Sequence, residues 1–248
     1  MKVRNIPPFL FRTIIRGGKV FWLECKNIGK PAVFKMCEGG IPIFVRRWTS
    51  DCFIVSEILH DGYPLPKSGD IVLDIGANIG IYSLYAAKAG ARVIAFEPEE
   101  ENFALLQRNV VEWPTIEAVH MAVADENGLR KLSVPFRCST GQWSLLQEGE
   151  GQNVHCISFH DIVQRWALLH IDILKMDIEG AEYQLLQSMS QSDLAKVRRI
   201  FLEFHDEYQH HHFSTIVRIL EAANFLVTVR APWYSLMKTG YIDAVRME

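Results

Sequence analysis

The segment Ile71-Val72-Leu73-Asp74-Ile75-Gly76-Ala77-Asn78-Ile79-Gly80 constrains this chain more than any other. Ile71 to Asp74 reads as a short apolar strand ending in an acid. Gly76 to Gly80 reads as a turn, and Ile81–Ala89 as a helix stopped by Gly90. A turn from strand to helix brings backbone close to a ligand only where side chains are absent, which accounts for Gly76 and Gly80. The next strand, Arg92–Phe96, ends at Glu97-Pro98, so a second acid follows 23 residues after Asp74. An acid at that spacing, at the tip of the second strand, is placed to accept from both hydroxyls of a ribose. A dinucleotide fingerprint needs Gly-x-Gly-x-x-Gly, but its middle position here is Asn78 and its sixth is Ile81. An acid at the first strand tip would repel a pyrophosphate and suits a cofactor bearing an ammonium group. Asp74 therefore favours S-adenosylmethionine over NAD. The bland alternative, a helix–sheet turn with no ligand, leaves the pairing of Asp74 with Glu97 unexplained.

The rest of the chain supports a sheet of this kind. Glu99–Val111 reads as a helix, Ala118–Ala124 as a third strand and Ile173–Asp177 as a fourth. A helix follows from about Ala181, then a fifth strand, Arg199–Glu203, and a helix over Ser214–Ala223. Phe225–Val229 and Tyr241–Val245 are late strands, joined by a loop containing Pro232-Trp233-Tyr234. Strands alternating with helices imply an α/β, doubly wound, mostly parallel sheet covered on both faces. The stretch Ser133–Gln152, rich in Ser, Gly and Gln, reads as an excursion near the site. Residues 1–68 differ in texture. Short apolar runs (Val20–Glu24, Ala32–Met36, Ile41–Arg46) are split by Gly29-Lys30-Pro31 and Gly39-Gly40, and a helix near Asp51–His60 ends in Asp61-Gly62-Tyr63-Pro64. They form a β-rich accessory or lid segment, and residues 69–248 form the cofactor-binding domain.

Composition excludes several classes. With 49% hydrophobic and 22% charged residues, disorder and fibrous repeats are poor readings. A net charge of −3 without a basic stretch argues against tight nucleic-acid binding, which rests on phosphate neutralisation. Cys25, Cys37, Cys52, Cys138 and Cys156 contain no Cys-x-x-Cys pair and are odd in number, so neither a zinc ribbon nor a disulfide scaffold is indicated. Free thiols in a reducing compartment are expected. No apolar run spans a bilayer, and Pro7, Pro8 and Arg12 interrupt any signal-peptide core, so the chain reads as a soluble cytoplasmic protein. Nothing in the sequence specifies an oligomeric state.

Three segments together, Asp74-Ile-Gly-Ala-Asn-Ile-Gly80, Ala95-Phe-Glu-Pro98 and Asp172-Ile-Leu-Lys-Met-Asp-Ile-Glu-Gly-Ala-Glu182, resemble the FkbM-type methyltransferases. These belong to the class I S-adenosylmethionine-dependent methyltransferases. Arg47-Trp48-Thr49-Ser50-Asp51 and Gly62-Tyr63 extend the resemblance, which runs from about residue 40 to about 206. The most family-specific part is Lys175 to Glu182. The resemblance implies a seven-stranded Rossmann-like sheet whose last strand is antiparallel, and methyl transfer, usually to a hydroxyl oxygen. It places Gly76, Asn78 and Gly80 along the methionine moiety and Glu97 on the ribose. Asp125 is a candidate for the adenine amino group, with a solvated turn acid in Asp125-Glu126-Asn127-Gly128 as its alternative.

The acceptor side follows from strand tips, since open α/β sheets bind ligands outside the carboxyl ends of their strands. Asp177 ends the fourth strand, Glu203 and His205 end the fifth, and Glu179 lies close by in sequence. One of the four is a candidate general base, with His205 the natural choice near neutral pH. Alternatively, Asp177, Glu203 and His205 hold a divalent cation that lowers the hydroxyl's pKa. Catechol O-methyltransferase-like enzymes place metal-binding carboxylates at comparable tips, but their lysine after the fourth strand has no counterpart here, where Gly180 stands. Lys175, inside an apolar strand, is expected to bond an acid such as Glu179 or Glu203. Glu182 is expected to favour a helix N-terminus. His210-His211-His212 reads as a solvated helix entry, with a substrate or metal role as its alternative; Arg46-Arg47 reads as a solvated pair, with an anionic substrate as its alternative; Tyr63, Trp143, Trp233 and Tyr234 read as loop aromatics that shape an acceptor pocket. The expected function is O-methylation of a small molecule bearing a hydroxyl, such as a sugar or natural product. RNA or protein methylation, and a non-catalytic cofactor-binding scaffold, are the rivals.

Overall fold

A computed structural model describes residues 33–47, 49–60, 62–133, 145, 151–206, 212–230 and 239–247. The run Val20–Glu24, Cys25, Cys138, Trp48, Trp143, His210, His211, Trp233 and Tyr234 lie outside the described residues. The chain divides into two units, residues 1–63 and 64–248.

In the first unit, strands β1 (Val33–Glu38) and β2 (Ile41–Arg46) pair antiparallel across a two-residue turn, and α1 (Asp51–His60) follows. Ile41, Ile43 and Val45 are buried while their neighbours are half-exposed, the period-2 signature of a strand with one covered face. Arg46 is not a solvated residue. Its Nε and Nη2 donate to the two oxygens of fully buried Asp51 at 3.0 and 2.9 Å, joining β2 to the first turn of α1.

The second unit carries β3 (Ile71–Ile75), α2 (Ile81–Lys88), β4 (Arg92–Phe96), α3 (Glu100–Val110), β5 (Ile116–Val119), β6 (Ala122–Ala124), β7 (Gly128–Ser133) and β8 (Gly151–Ser158). It continues with α4 (Phe159–Arg165), β9 (Ile171–Met176), α5 (Glu182–Ser188), α6 (Gln191–Leu194), β10 (Val197–His205), α7 (Phe213–Ala222), β11 (Phe225–Arg230) and β12 (Thr239–Arg246). Seven strands form one sheet in the order β11-β12-β10-β9-β3-β4-β5. The β5-β4-β3-β9-β10 run is parallel, and β12 is antiparallel to both β10 and β11. This is the mostly parallel, seven-stranded methyltransferase sheet expected from the sequence.

All six residues of β9 are buried, as a strand covered on both faces requires. Leu73, Ile75, Ile94, Phe96, Leu174, Met176, Leu202 and Phe204 pack with Ile162 of α4, Leu185 of α5 and Leu220 of α7. Full burial of each such side chain stabilises by about 1.5–3 kcal/mol. Asp74 alternates with Leu73 and Ile75, so it emerges on the opposite face, toward Ser83 of α2.

Two expectations are corrected. The third strand over Ala118–Ala124 is two strands. β5 stays at the edge of the large sheet, and β6 leaves it to pair in parallel with β8 in a three-stranded sheet ordered β6-β8-β7. The excursion also begins and ends in strand, since β7 and β8 pair antiparallel on either side of it. Among the described residues no helix is long and apolar enough to cross a membrane.

Candidate functional site

One cluster, called the donor side after the sequence expectation, is built where β3 and β4 end. Gly76 has φ of 74°, and the N–H groups of Gly76 and Ala77 both donate to the Phe96 carbonyl, at 3.0 and 2.9 Å. A Cβ at Gly76 would stand 1.9 Å from the carbonyl oxygen of Asp177, so the residue is glycine because the backbone after β9 passes against it. Gly80 has a different reason: its missing Cβ leaves room for Leu106 of α3. Asn78 also lies in the left-handed region, at φ 52°, where asparagine is tolerated better than bulkier residues. Its N–H donates to Glu97 Oε2 at 2.8 Å, and its own Oδ1 accepts from Ile79 N–H at 2.8 Å.

Glu97 is buried, and its second oxygen accepts from the Glu99 N–H at 2.9 Å. Burial pushes its carboxyl up to about 7, against the opposing pull of the Glu99 and Asn78 N–H groups. The Asn102 side chain also donates to the carboxylate.

Asp74 is fully buried. Ser83 Oγ donates to Oδ2 at 2.6 Å, and Lys175 Nζ lies 3.2 Å from Oδ1. Lys175 also donates to the Gly76 carbonyl at 2.7 Å. Burial acts to lower the lysine's pKa, but the carboxylates of Asp74 and Asp177 outweigh it and hold the ammonium above its ordinary range. The partner of Lys175 is therefore Asp74, not Glu179 or Glu203. An ammonium does sit at Asp74, and it is the chain's own.

The second cluster, called the acceptor side after the sequence expectation, lies one strand over. β9 ends at Met176, and the chain turns through Asp177, Ile178, Glu179 and Gly180 into α5, with Glu179 at φ 53°. Glu182 is fully buried and anchors this turn, accepting from Ile178 N–H and Gly180 N–H at 2.9 Å each. That is more than a favourable charge at a helix start: it satisfies two otherwise orphaned donors. His205, at the end of β10, is buried, with Nδ1 3.3 Å from Glu182 Oε1 and Nε2 3.4 Å from Glu179 Oε2. Burial acts to lower its pKa, but Glu182, Glu179 and Glu203 together raise it well above the usual histidine value. Asp177, Glu203 and His205 each offer a ligand atom, and these atoms lie within 4.8 Å of one another.

A family model for the FkbM methyltransferase domain matches residues 74–227, which begins at Asp74 and takes in both clusters. The chain belongs to the FkbM methyltransferase family. It is 26% identical over 174 residues to 31-O-demethyl-FK506 methyltransferase FkbM of Streptomyces tacrolimicus, a match covering 56% of this chain and 67% of that one. It is 26% identical over 140 residues to hexuronic acid methyltransferase AglP of Haloferax volcanii, covering 56% of this chain and 57% of that one. The fold resembles that of Aeropyrum pernix fibrillarin, solved with natively bound S-adenosyl-L-methionine, at a TM-score of 0.50 and 13% identity over 88% of this chain and 85% of that one.

The FkbM-type segments thus fall on two adjoining strand-tip clusters. The structure brings Asp177, Glu179, Glu203 and His205 together at one, and Asp74, Gly76, Asn78 and Glu97 together at the other. Asp125 follows β6 on the small sheet, where Arg130 Nη1 donates to its Oδ1 at 2.6 Å and holds its carboxyl below the usual range. His212, the described member of the histidine run, caps α7: its Nδ1 accepts from Ser214 N–H at 3.3 Å. Sequence reasoning missed Ser83 and the anchoring role of Glu182. The signal for Glu182 was its place just after a tight Ile-Glu-Gly turn, whose N–H groups need an acceptor.

Proposed function

We propose that this FkbM-family protein is an S-adenosylmethionine-dependent O-methyltransferase acting on a hydroxyl of a small molecule, such as a sugar or natural product. The observation that carries this reading is the contact of Gly76 with the Asp177 backbone, which joins a glycine turn suited to a cofactor to a histidine–carboxylate cluster suited to an acceptor. The residues fit the cofactor. On this reading the turn from Gly76 to Gly80, held against Asp177 and Leu106 by its two glycines, presents its backbone and Asn78 to the methionine moiety, and Glu97 offers acceptors to the ribose hydroxyls. At Asp125, Arg130 takes Oδ1 and leaves Oδ2 for the adenine amino group. Asp74, compensated by Lys175, shapes the turn.

S-adenosylmethionine supplies a methyl group already activated on sulfonium. Alignment of oxygen, carbon and sulfur then supplies much of the rate. The cluster of Asp177, Glu179, Glu203 and His205 orients the acceptor and deals with its hydroxyl proton, through one of its own bases or through a bound divalent cation. The similarity to the FkbM and hexuronic acid methyltransferases supports a small acceptor over RNA or protein. Residues 1–68 are accessory on this reading, since all seven strands of the large sheet lie in residues 71–246. Cys37 and Cys156 as free thiols suit a reducing compartment such as the cytoplasm.

S-adenosylhomocysteine should raise the melting temperature and NAD should not, because a ligand that binds only the native state stabilises it by mass action. A response to NAD alone would overturn the cofactor assignment. Transfer of labelled methyl from S-adenosylmethionine into a sugar and glycolipid extract, and not into total RNA, is the expected acceptor result. Labelling of RNA alone would favour the rival.

A further inference from the structure

We infer that Asp177, Glu203 and His205 form a site for a divalent cation of the manganese or magnesium class. The proposal rests on the methyltransferase reading only for the cation's use, not for its binding. Three observations carry it. The first is placement. β9 and β10 pair in parallel with Met176 opposite Leu202, so one further step sets Asp177, the first residue past β9, beside Glu203 of β10. Their carboxylates and a ring nitrogen of His205 lie within 4.8 Å of one another, close enough for one ion to touch all three.

The second observation is the support behind the histidine. Nδ1 of His205 faces Glu182, which is fully buried and held by two backbone N–H groups. A metal-ligating histidine almost always presents its other nitrogen to a carboxylate in this way, which fixes its tautomer and orientation. Nε2 faces Glu179 Oε2 at 3.4 Å, so a cation at that nitrogen would either displace the Glu179 carboxylate or add it to the donor set. The third observation is partial exposure. Asp177 and Glu203 are half-buried while His205 is buried, so the cluster is closed behind and open in front. Lys175, the buried cation on the same strand, is turned to Asp74 and the Gly76 carbonyl and serves the donor side.

Two carboxylates and one imidazole form a mostly oxygen donor set, which suits hard divalent cations that keep open positions for water or substrate. At such a position the acceptor hydroxyl would lose its proton more readily. Its oxygen would then form a bond to the methyl carbon. The carbon–sulfur bond would break with its electron pair going to sulfur, and the proton would pass to bulk water.

The test uses the full chain, freed of metal by a chelator that is then removed, and titrated with manganese(II) chloride by electron paramagnetic resonance. S-adenosylhomocysteine binding is measured on the same samples. A single saturable manganese site is expected, weakened at least about tenfold in Glu203→Gln and in Asp177→Asn. Glu182→Gln should weaken it by about 10–100-fold through the histidine it orients, while exposed Glu112→Gln should leave it unchanged. Failure of the wild-type chain to bind manganese, or equal binding by Glu203→Gln, overturns the proposal, whether or not Asp177→Asn folds. Loss of manganese binding with intact S-adenosylhomocysteine binding would sink the cation site alone. Intact manganese binding without any S-adenosylhomocysteine binding would sink the methyltransferase reading alone.

Discussion

The two strand-tip clusters use acids in opposite ways. On the donor side, Asp74 is answered by Ser83 and Lys175, and Glu97 by two backbone N–H groups. Both are buried, and both hold backbone in place. On the acceptor side, Asp177, Glu179, Glu182 and Glu203 gather around one imidazole, and three of these four acids reach solvent. An internally neutralised acid builds shape, whereas a half-exposed group of acids keeps its capacity for a proton, a cation or a substrate hydroxyl. The difference separates residues whose loss should unfold the protein from residues whose loss should silence it.

The sharpest break in that contrast is Lys175→Met. It removes the cation beside buried Asp74 and leaves it the Ser83 hydroxyl, so stability should fall by about 3–5 kcal/mol in denaturant unfolding, and Asp74→Asn should recover part of that loss. A drop below about 1 kcal/mol would mean that the donor side does not depend on the pair. Next in size is His205→Asn, expected to lower turnover by about a hundredfold on the acceptor found in the extract assay while leaving S-adenosylhomocysteine affinity intact. An equal loss of cofactor affinity would merge the two clusters into one functional unit.

Glu97→Gln should weaken S-adenosylhomocysteine binding by about tenfold. The wild type should show a matching pH effect. Ribose hydroxyls donate to the ionised carboxylate, so binding favours that form. Affinity should be level above the group's value of about 7 and fall as pH drops through it, by at most about tenfold per unit. A calorimetric titration series that is flat from pH 8 to pH 6, or an unaltered slope in Glu97→Gln, would remove Glu97 from the ribose. The smallest effect concerns Asp125. Arg130→Gln should cost under about 1 kcal/mol of stability, as exposed ion pairs do. Asp125→Asn should in addition weaken S-adenosylhomocysteine binding a few-fold. Equal binding by both variants would return Asp125 to a turn acid.

Much of this contrast was legible before any coordinates. Short apolar strands that end in Asp74, Glu97, Asp177 and Glu203 declare their tips, and the rule that ligands sit at carboxyl ends does the rest. Strand order was not legible, and it decides the partner of Lys175. Asp74 and Lys175 are register neighbours on β3 and β9, about a hundred residues apart in sequence, whereas β10 sets Phe201 opposite Lys175 on its other side. The split of β5 from β6 was hidden for a related reason. Val119-His120-Met121-Ala122 gives no turn signal, and β6 leaves the sheet because β8, more than thirty residues on, offers it an edge.

The missing side chain at Gly76 carries a consequence of its own. Because the turn after β3 rests directly on the Asp177 carbonyl, the interval between the two clusters is set by main chain against main chain. Side chains relax and swap rotamers, but two strand ends locked in one sheet do not. The fold thus acts as a fixed gauge between the two clusters, and side chains around either one can be exchanged without altering that interval.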